Sequence, residues 1–306
     1  MTAPVRAAAL VLVWSSGFIG AELGAHAAPP ATVLMWRCLV TAVVLLPWLG
    51  RALRGLDRRE WLRQTVLALL CQCLYLVGVF WAAAAGVPAG SSALIASLQP
   101  ALVLASALLL EGRRLRLAHL SGLVLGSTGV ALTAAGDLRA GVSITALVLP
   151  LSAMLSLTSG TLFQQRWSRL SHRSTPLMHT LAVQAVLSAA FFTVGAAAVG
   201  TVVPPPTAEF WTATGWGVLA GIGSYGLYYL VTTRDGAARA STTLYLTPAA
   251  TALWAAAMFD QPLRPTTLLG LVISAAAVVV LTAAGPPRTT ARPATRPASR
   301  DRPESA

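Results

Sequence analysis

The chain of 306 residues is 56% hydrophobic and 10% charged, with a mean hydropathy of +0.69. A water-soluble domain of that length needs about a quarter of its residues charged to keep its surface solvated, so these figures exclude one. The net charge of +12 does not point to nucleic acid either, because the 22 basic residues are all arginines and nearly all lie in short gaps between apolar runs.

A helix crossing hydrocarbon needs about 20 mostly apolar residues, since only its own carbonyls can satisfy its amides there. That length predicts an all-α integral membrane fold with ten spans. The first, 4–23, carries Arg6 before an apolar core and Ala25-His26-Ala27 after it, which imitates a signal peptide and its cleavage site. The run is long for a signal sequence and nine spans follow, so it is read as a retained helix. The second, 31–49, follows Pro29-Pro30 and holds Arg37. The third is 64–85. The fourth, 89–110, follows Pro88 and contains Pro100. The fifth and sixth are 117–135 and 142–163. The seventh, 177–199, follows Pro176, and the eighth, 210–232, follows Pro204-Pro205-Pro206. The ninth, 240–259, contains Pro248 and ends before Pro262, and the tenth, 265–284, opens on Pro265. Prolines at or beside span ends mark helix starts and breaks. Residues 286–306 are rich in Pro, Arg, Thr and Ser without apolar periodicity, and are expected to be a disordered, basic cytoplasmic tail. Cys38, Cys71 and Cys73 lie inside apolar runs. Residues 71 and 73 point about 200° apart on a helix, too splayed to chelate a metal, so all three are expected to be small buried hydrophobes.

Arginines orient the spans by the positive-inside rule. With the N-terminus cytoplasmic, that side receives Arg6, five arginines over 51–63, three over 113–116, three over 166–173, Arg234, Arg239 and five in the tail. These are nineteen in all, against Arg139 and Arg264 outside. Both termini are therefore expected to be cytoplasmic, in a bacterial plasma (inner) membrane.

The chain also repeats itself. Leu132-Thr133-Ala134-Ala135-Gly136 recurs as Leu281-Thr282-Ala283-Ala284-Gly285. Leu98-Gln99-Pro100-Ala101 matches Leu246-Thr247-Pro248-Ala249, and Leu120-Ser121-Gly122-Leu123-Val124 matches Leu268-Leu269-Gly270-Leu271-Val272. The order is constant and the offset equals five helices. Five is odd, so the second copy, 142–285, is expected to enter the membrane upside down relative to the first, 1–136. Inverted repeats are the architecture of alternating-access transporters.

Trp14-Ser15-Ser16-Gly17-Phe18 in the first span resembles the drug/metabolite transporter superfamily, EamA type. So does Arg37 ahead of Ala42-Val43-Val44-Leu45-Leu46-Pro47. The fourth and ninth spans resemble its pattern of small-residue start, inner proline and terminal acid, with Ser91-Ser92, Pro100 and Glu111 in one and Ala240-Ser241, Pro248 and Asp260 in the other. The resemblance covers residues 4–285 and implies a ten-helix exporter of small metabolites or toxic compounds. Asp260-Gln261-Pro262 departs from the family's usual Gly-Glu pair, and the sixth span lacks the first-span Trp.

A charge at membrane depth costs about 2.5–3.5 kcal/mol on insertion scales, so Arg37 is a functional candidate by default. Its planar fork suits a carboxylate or phosphate. The competing readings are an ion pair with Glu22 or snorkelling to the outer surface. Glu22 itself is a candidate for pairing or proton coupling. Trp14, Gln72, Tyr75, Gln99, His179, Gln184, Tyr225, Tyr228 and Tyr245, with Trp81 and Tyr229, are candidates for lining a central cavity. Pro100 and Pro248 are candidates for helix breaks that free backbone carbonyls. Gly122-x-x-x-Gly126 and Gly217-x-x-x-Gly221 read as close helix packing. Asp260 and Arg264 are expected to form a loop ion pair.

No Walker loop, His-Glu-x-x-His, Cys-x-x-Cys or Gly-x-Ser-x-Gly occurs, so no enzyme, metal or cofactor is expected and the driving force is a gradient. The expected function is secondary-active export of an amino acid or related zwitterion or anion. Efflux of hydrophobic or cationic drugs is the sibling reading, and an intramembrane lipid-modifying enzyme is the alternative from another class. Expected partners are a small-molecule substrate and the lipid bilayer, with proton coupling and a homodimer both open.

Overall fold

The computed structural model describes residues 1–99, 101–103, 106, 117–170, 176–236, 240 and 243–284. Among them are ten principal helices and no strand. They are α1 (Ala3–Ala27), α2 (Pro30–Arg54), α3 (Arg58–Ala84), α4 (Ala89–Ala96), α5 (Leu117–Arg139), α6 (Ile144–Leu170), α7 (Leu177–Ala198), α8 (Ala208–Asp235), α9 (Thr247–Phe259) and α10 (Pro265–Ala284). Six of them, α1, α2, α3, α5, α6 and α7, are long and apolar enough to cross a membrane. Helix α8 has 28 residues, but its five glycines and its Tyr, Trp and Ser residues dilute its apolarity. The expected tail, together with Pro100 and Glu111, lies outside the described residues.

The helix starts have local causes. Asp57 accepts from the Glu60 amide at 2.8 Å, Ser143 from Ala146 at 3.1 Å and Thr207 from Phe210 at 3.3 Å. Each such cap is worth about 1 kcal/mol. Pro29, Pro88 and Pro176 precede α2, α4 and α7, where no intrahelical amide is lost. Most helices overrun the expected spans by a turn, because the hydrogen-bonded ladder continues into the interfacial region beyond the hydrocarbon.

Five helix pairs carry the packing: α1 with α8, α2 with α7, α3 with α6, α4 with α9, and α5 with α10. Exchanging α1–α5 for α6–α10 in order maps this set of pairs onto itself. Contacts between helix ends sort into two layers. At one, Arg6 at the start of α1 binds Asp235 at the end of α8 (Nε to Oδ2, 2.9 Å), and Arg63 of α3 lies 5.9 Å from the Trp167 ring of α6. This is the arginine-rich end. At the far end, Arg264 before α10 binds Asp137 of α5 at 3.2 Å, and Thr32 of α2 donates to the Thr201 carbonyl after α7 at 2.7 Å. His26 of α1 stacks on Phe259 of α9 there. Arg264 thus pairs with Asp137 and not with Asp260, which caps α9 in the left-handed region at φ 53°.

Side chains such as Val43, Leu46, Val194, Leu219, Val272 and Val279 point outward, an apolar belt fit for lipid. The largest buried cluster gathers Phe18, Ile19, Leu34, Phe80, Phe192 and Phe210 and closes the far half of the bundle. Small residues bring α5 against α10. A Cβ on Gly129 would lie 2.6 Å from the Gly270 carbonyl, and one on Gly122 would meet Leu281.

Two irregularities interrupt the helices. Residues Ala68–Leu74 of α3 form a π-helix, a widening frequent at functional sites. Helix α4 gives way to a turn at 97–98, and in the other half helical residues 243–244 give way to a turn at 245–246 before α9 restarts with Pro248 in its first turn. The ninth expected span is therefore interrupted just ahead of Pro248, the residue read as its candidate break.

Candidate functional site

The two breaks and the π-helix face one cavity of about 600 Å³. It runs from Gln164, Gln165, Tyr229 and Thr232 at the arginine-rich end to Phe18, Arg37 and Phe80 beneath the apolar plug. Helices of both halves wall it. The π-helix turns Cys71 and Gln72 inward, while Ser97 and Gln99 on one side and Leu244, Tyr245 and Thr247 on the other bring the two breaks to the wall. Pro248 has no amide hydrogen, so the Leu244 carbonyl loses its ladder donor, which is tolerable in a membrane only beside a cavity or a protein partner.

Arg37 sits at the inner end. Its side chain lies along the α8 backbone, where a Cβ on Gly217 would meet its Cδ at 2.9 Å and one on Gly221 would meet its Nη2 at 3.2 Å. These two glycines were expected to let helices approach, and what they admit is the arginine from α2. Its Cζ stands 5.5 Å from the centroid of Phe80. Among the described residues the guanidinium makes no ion pair or hydrogen bond. Glu22 does not reach it and lies instead 3.5 Å from His26, one turn along α1.

Most of the other expected residues line the same wall. Trp14 packs edge-on to Tyr225 at 6.3 Å and tilted on Tyr228 at 5.8 Å. Gln72 donates to the Tyr225 hydroxyl at 3.2 Å, and Gln99 to Thr161 at 2.9 Å. Gln184 donates to Gln64 at 3.0 Å, which donates to Glu60 at 2.8 Å, joining α7 to the start of α3. Tyr75 and Tyr245 complete the aromatic lining. Three expected residues lie apart: Glu22 at the far end, His179 near the start of α7 and off the wall, and Trp81, which packs against the far apolar cluster. Sequence reasoning missed Asp137, which is 0% exposed at the end of α5. It lies just beyond the fifth expected span and reads as a loop acid.

The model of the EamA-like transporter family matches residues 3–135 and again 144–283. The chain belongs to that family. This EamA-like protein is accordingly a multi-pass membrane protein of the drug/metabolite transporter type, and the double match falls on the two sets of five helices. No curated protein matches its sequence. Among solved structures, a crystal structure of a protein 17% identical in sequence aligns with a TM-score of 0.61 over 92% of this chain and 96% of that one. That likeness concerns the fold alone.

Proposed function

We propose that this protein is a secondary-active transporter that exports a small metabolite, such as an amino acid or a related zwitterion or anion, by alternating access. The observation that carries the reading is a cavity that reaches exposed residues at the arginine-rich end, meets an apolar cluster at the other, and is walled by both halves with a charged side chain at its inner end. The reading takes the chain as ten spans in two inverted repeats, 1–136 and 142–285. It takes the arginine-rich face as cytoplasmic in a bacterial inner membrane, as the positive-inside rule requires. The pairing of helices supports it, since that set is unchanged when the halves are exchanged. Rocking one half against the other would break the plug and close the mouth.

Efflux of hydrophobic cations is the second reading, favoured by the aromatic group around Trp14. Proteoliposome flux separates the two. With a panel of amino acids, organic anions and lipophilic cations, saturable flux of the first two classes supports the proposal and flux of cations alone supports the second. Absence of flux in every class under gradients of either polarity overturns transport.

A further inference from the structure

We propose that the cavity selects an organic anion with an apolar or aromatic body, held by its carboxylate or phosphate at Arg37, and discriminates against zwitterions and cations of the same shape. This rests on the transporter reading and narrows its cargo.

Charge balance carries the inference. The described chain has seven carboxylates, and none lines the cavity. Asp235 binds Arg6, Asp137 binds Arg264, and Glu60 lies 3.3 Å from Arg63. Glu22 lies beside His26, Asp57 and Asp260 cap helices, and Glu209 stands in the first turn of α8 at the far end. Among the described residues Arg37 is left as a positive charge at depth with no carboxylate beside it, an arrangement that costs free energy until an anion arrives.

The surroundings supply donors and apolar surface but no second pole. The Tyr225 hydroxyl accepts from Gln72, which leaves its own proton free to donate toward the cavity. The carbonyls at the helix breaks could accept from an ammonium group, yet they add no charge. Each break sets a helix C-terminal end against an N-terminal end, so their opposite partial charges offset one another. An ammonium would thus enter with its charge uncompensated, while an anion would neutralise Arg37 and lay its body against Trp14 and Tyr228.

The test uses three probes with one skeleton: 3-phenylpropanoate, phenylalanine and 2-phenylethylamine, which carry one negative charge, no net charge and one positive charge. Equilibrium binding to the detergent-solubilised full chain should rank the anion above the amino acid by at least about tenfold, with the amine unbound. Arg37→Gln should abolish that ranking and Arg37→Lys should retain part of it. The proposal is overturned if phenylalanine binds as tightly as the anion, if the amine binds, if none of the three binds, or if the ranking survives in Arg37→Gln. If Arg37→Gln does not fold, the ranking in the unmodified chain decides. Binding of the anion without flux in proteoliposomes would remove the transporter reading and leave the selectivity, whereas flux of the amine alone would do the reverse.

Discussion

Arg37 of α2 rests in a groove whose floor is Gly217 of α8, so close that a single methyl group there would lie 2.9 Å from the arginine Cδ. The position of this deep charge is thereby set by the absence of a side chain on another helix.

Gly217→Ala is expected to push Arg37 off its seat and weaken substrate binding about tenfold, with folding retained, since a displaced contact of this kind is worth about 1–3 kcal/mol. Gly215→Ala is the control, because a Cβ at that position meets nothing within 4 Å. Binding isotherms for the two variants decide it, and equal affinities would remove the groove from the mechanism.

The seam between α5 and α10 should respond differently. Gly129→Val places atoms against the Gly270 carbonyl and Ser274, and overpacking costs about 1–3 kcal/mol. The thermal midpoint in detergent should fall. Gly195→Val, in open space on α7, should leave it unchanged. A midpoint unaffected by Gly129→Val would mean that this seam is looser than the structure shows.

Asp137 and Arg264 form a pair in which the carboxylate is fully buried. Removing one partner of such a pair costs about 3–5 kcal/mol. Asp137→Ala should therefore destabilise the purified protein more than Glu60→Ala, whose pair is partly exposed. Denaturation curves for both, read beside the Asp137→Ala/Arg264→Ala double variant, measure the coupling. A double variant as unstable as the sum of the singles would show that the pair contributes nothing.

The cavity gives Cys71 a sidedness. In a variant with Cys38 and Cys73 changed to alanine, a membrane-impermeant maleimide should label Cys71 from the arginine-rich face, and bound substrate should slow the reaction. Cys73 is 2% exposed, with its sulfur 3.7 Å from Ser188 Oγ, and should stay unlabelled in its own single-cysteine variant. Inside-out and right-side-out vesicles supply the two faces. Equal labelling from both would contradict a cavity closed at the far end.

Much of this was legible in the sequence for reasons the bilayer imposes. A fixed hydrocarbon thickness turns apolar length into helices, and a polar or aromatic group inside such a helix must face protein or a cavity. Trp14, Gln72, Gln99 and Tyr225 were found that way. Glu22 and His179 share the chemistry but lie near helix ends, where a local neighbour or an interface satisfies them and nothing draws them inward. Spacing showed that Gly217 and Gly221 make room on α8, but it could not show what fills the room. The π-helix at Ala68–Leu74 left no mark, because Leu and Cys read the same whether the ladder is regular or interrupted, whereas the turn at 245–246 lies just ahead of Pro248, a candidate break. Asp137 was lost by two residues, because its helix runs on to Arg139, one turn past the expected end of the span.

An unbalanced positive pole at the inner end of the cavity has a consequence for energetics. On the proposal above, an anion that binds Arg37 and crosses without a coupled ion carries its charge through the electric field, since the arginine itself stays with the protein. With the arginine-rich face in a cytoplasm held negative, each such charge moved outward gains about 2.3 kcal/mol per 100 mV of membrane potential. On that proposal the membrane voltage favours outward movement, so the residue that selects an anion would also bias its direction.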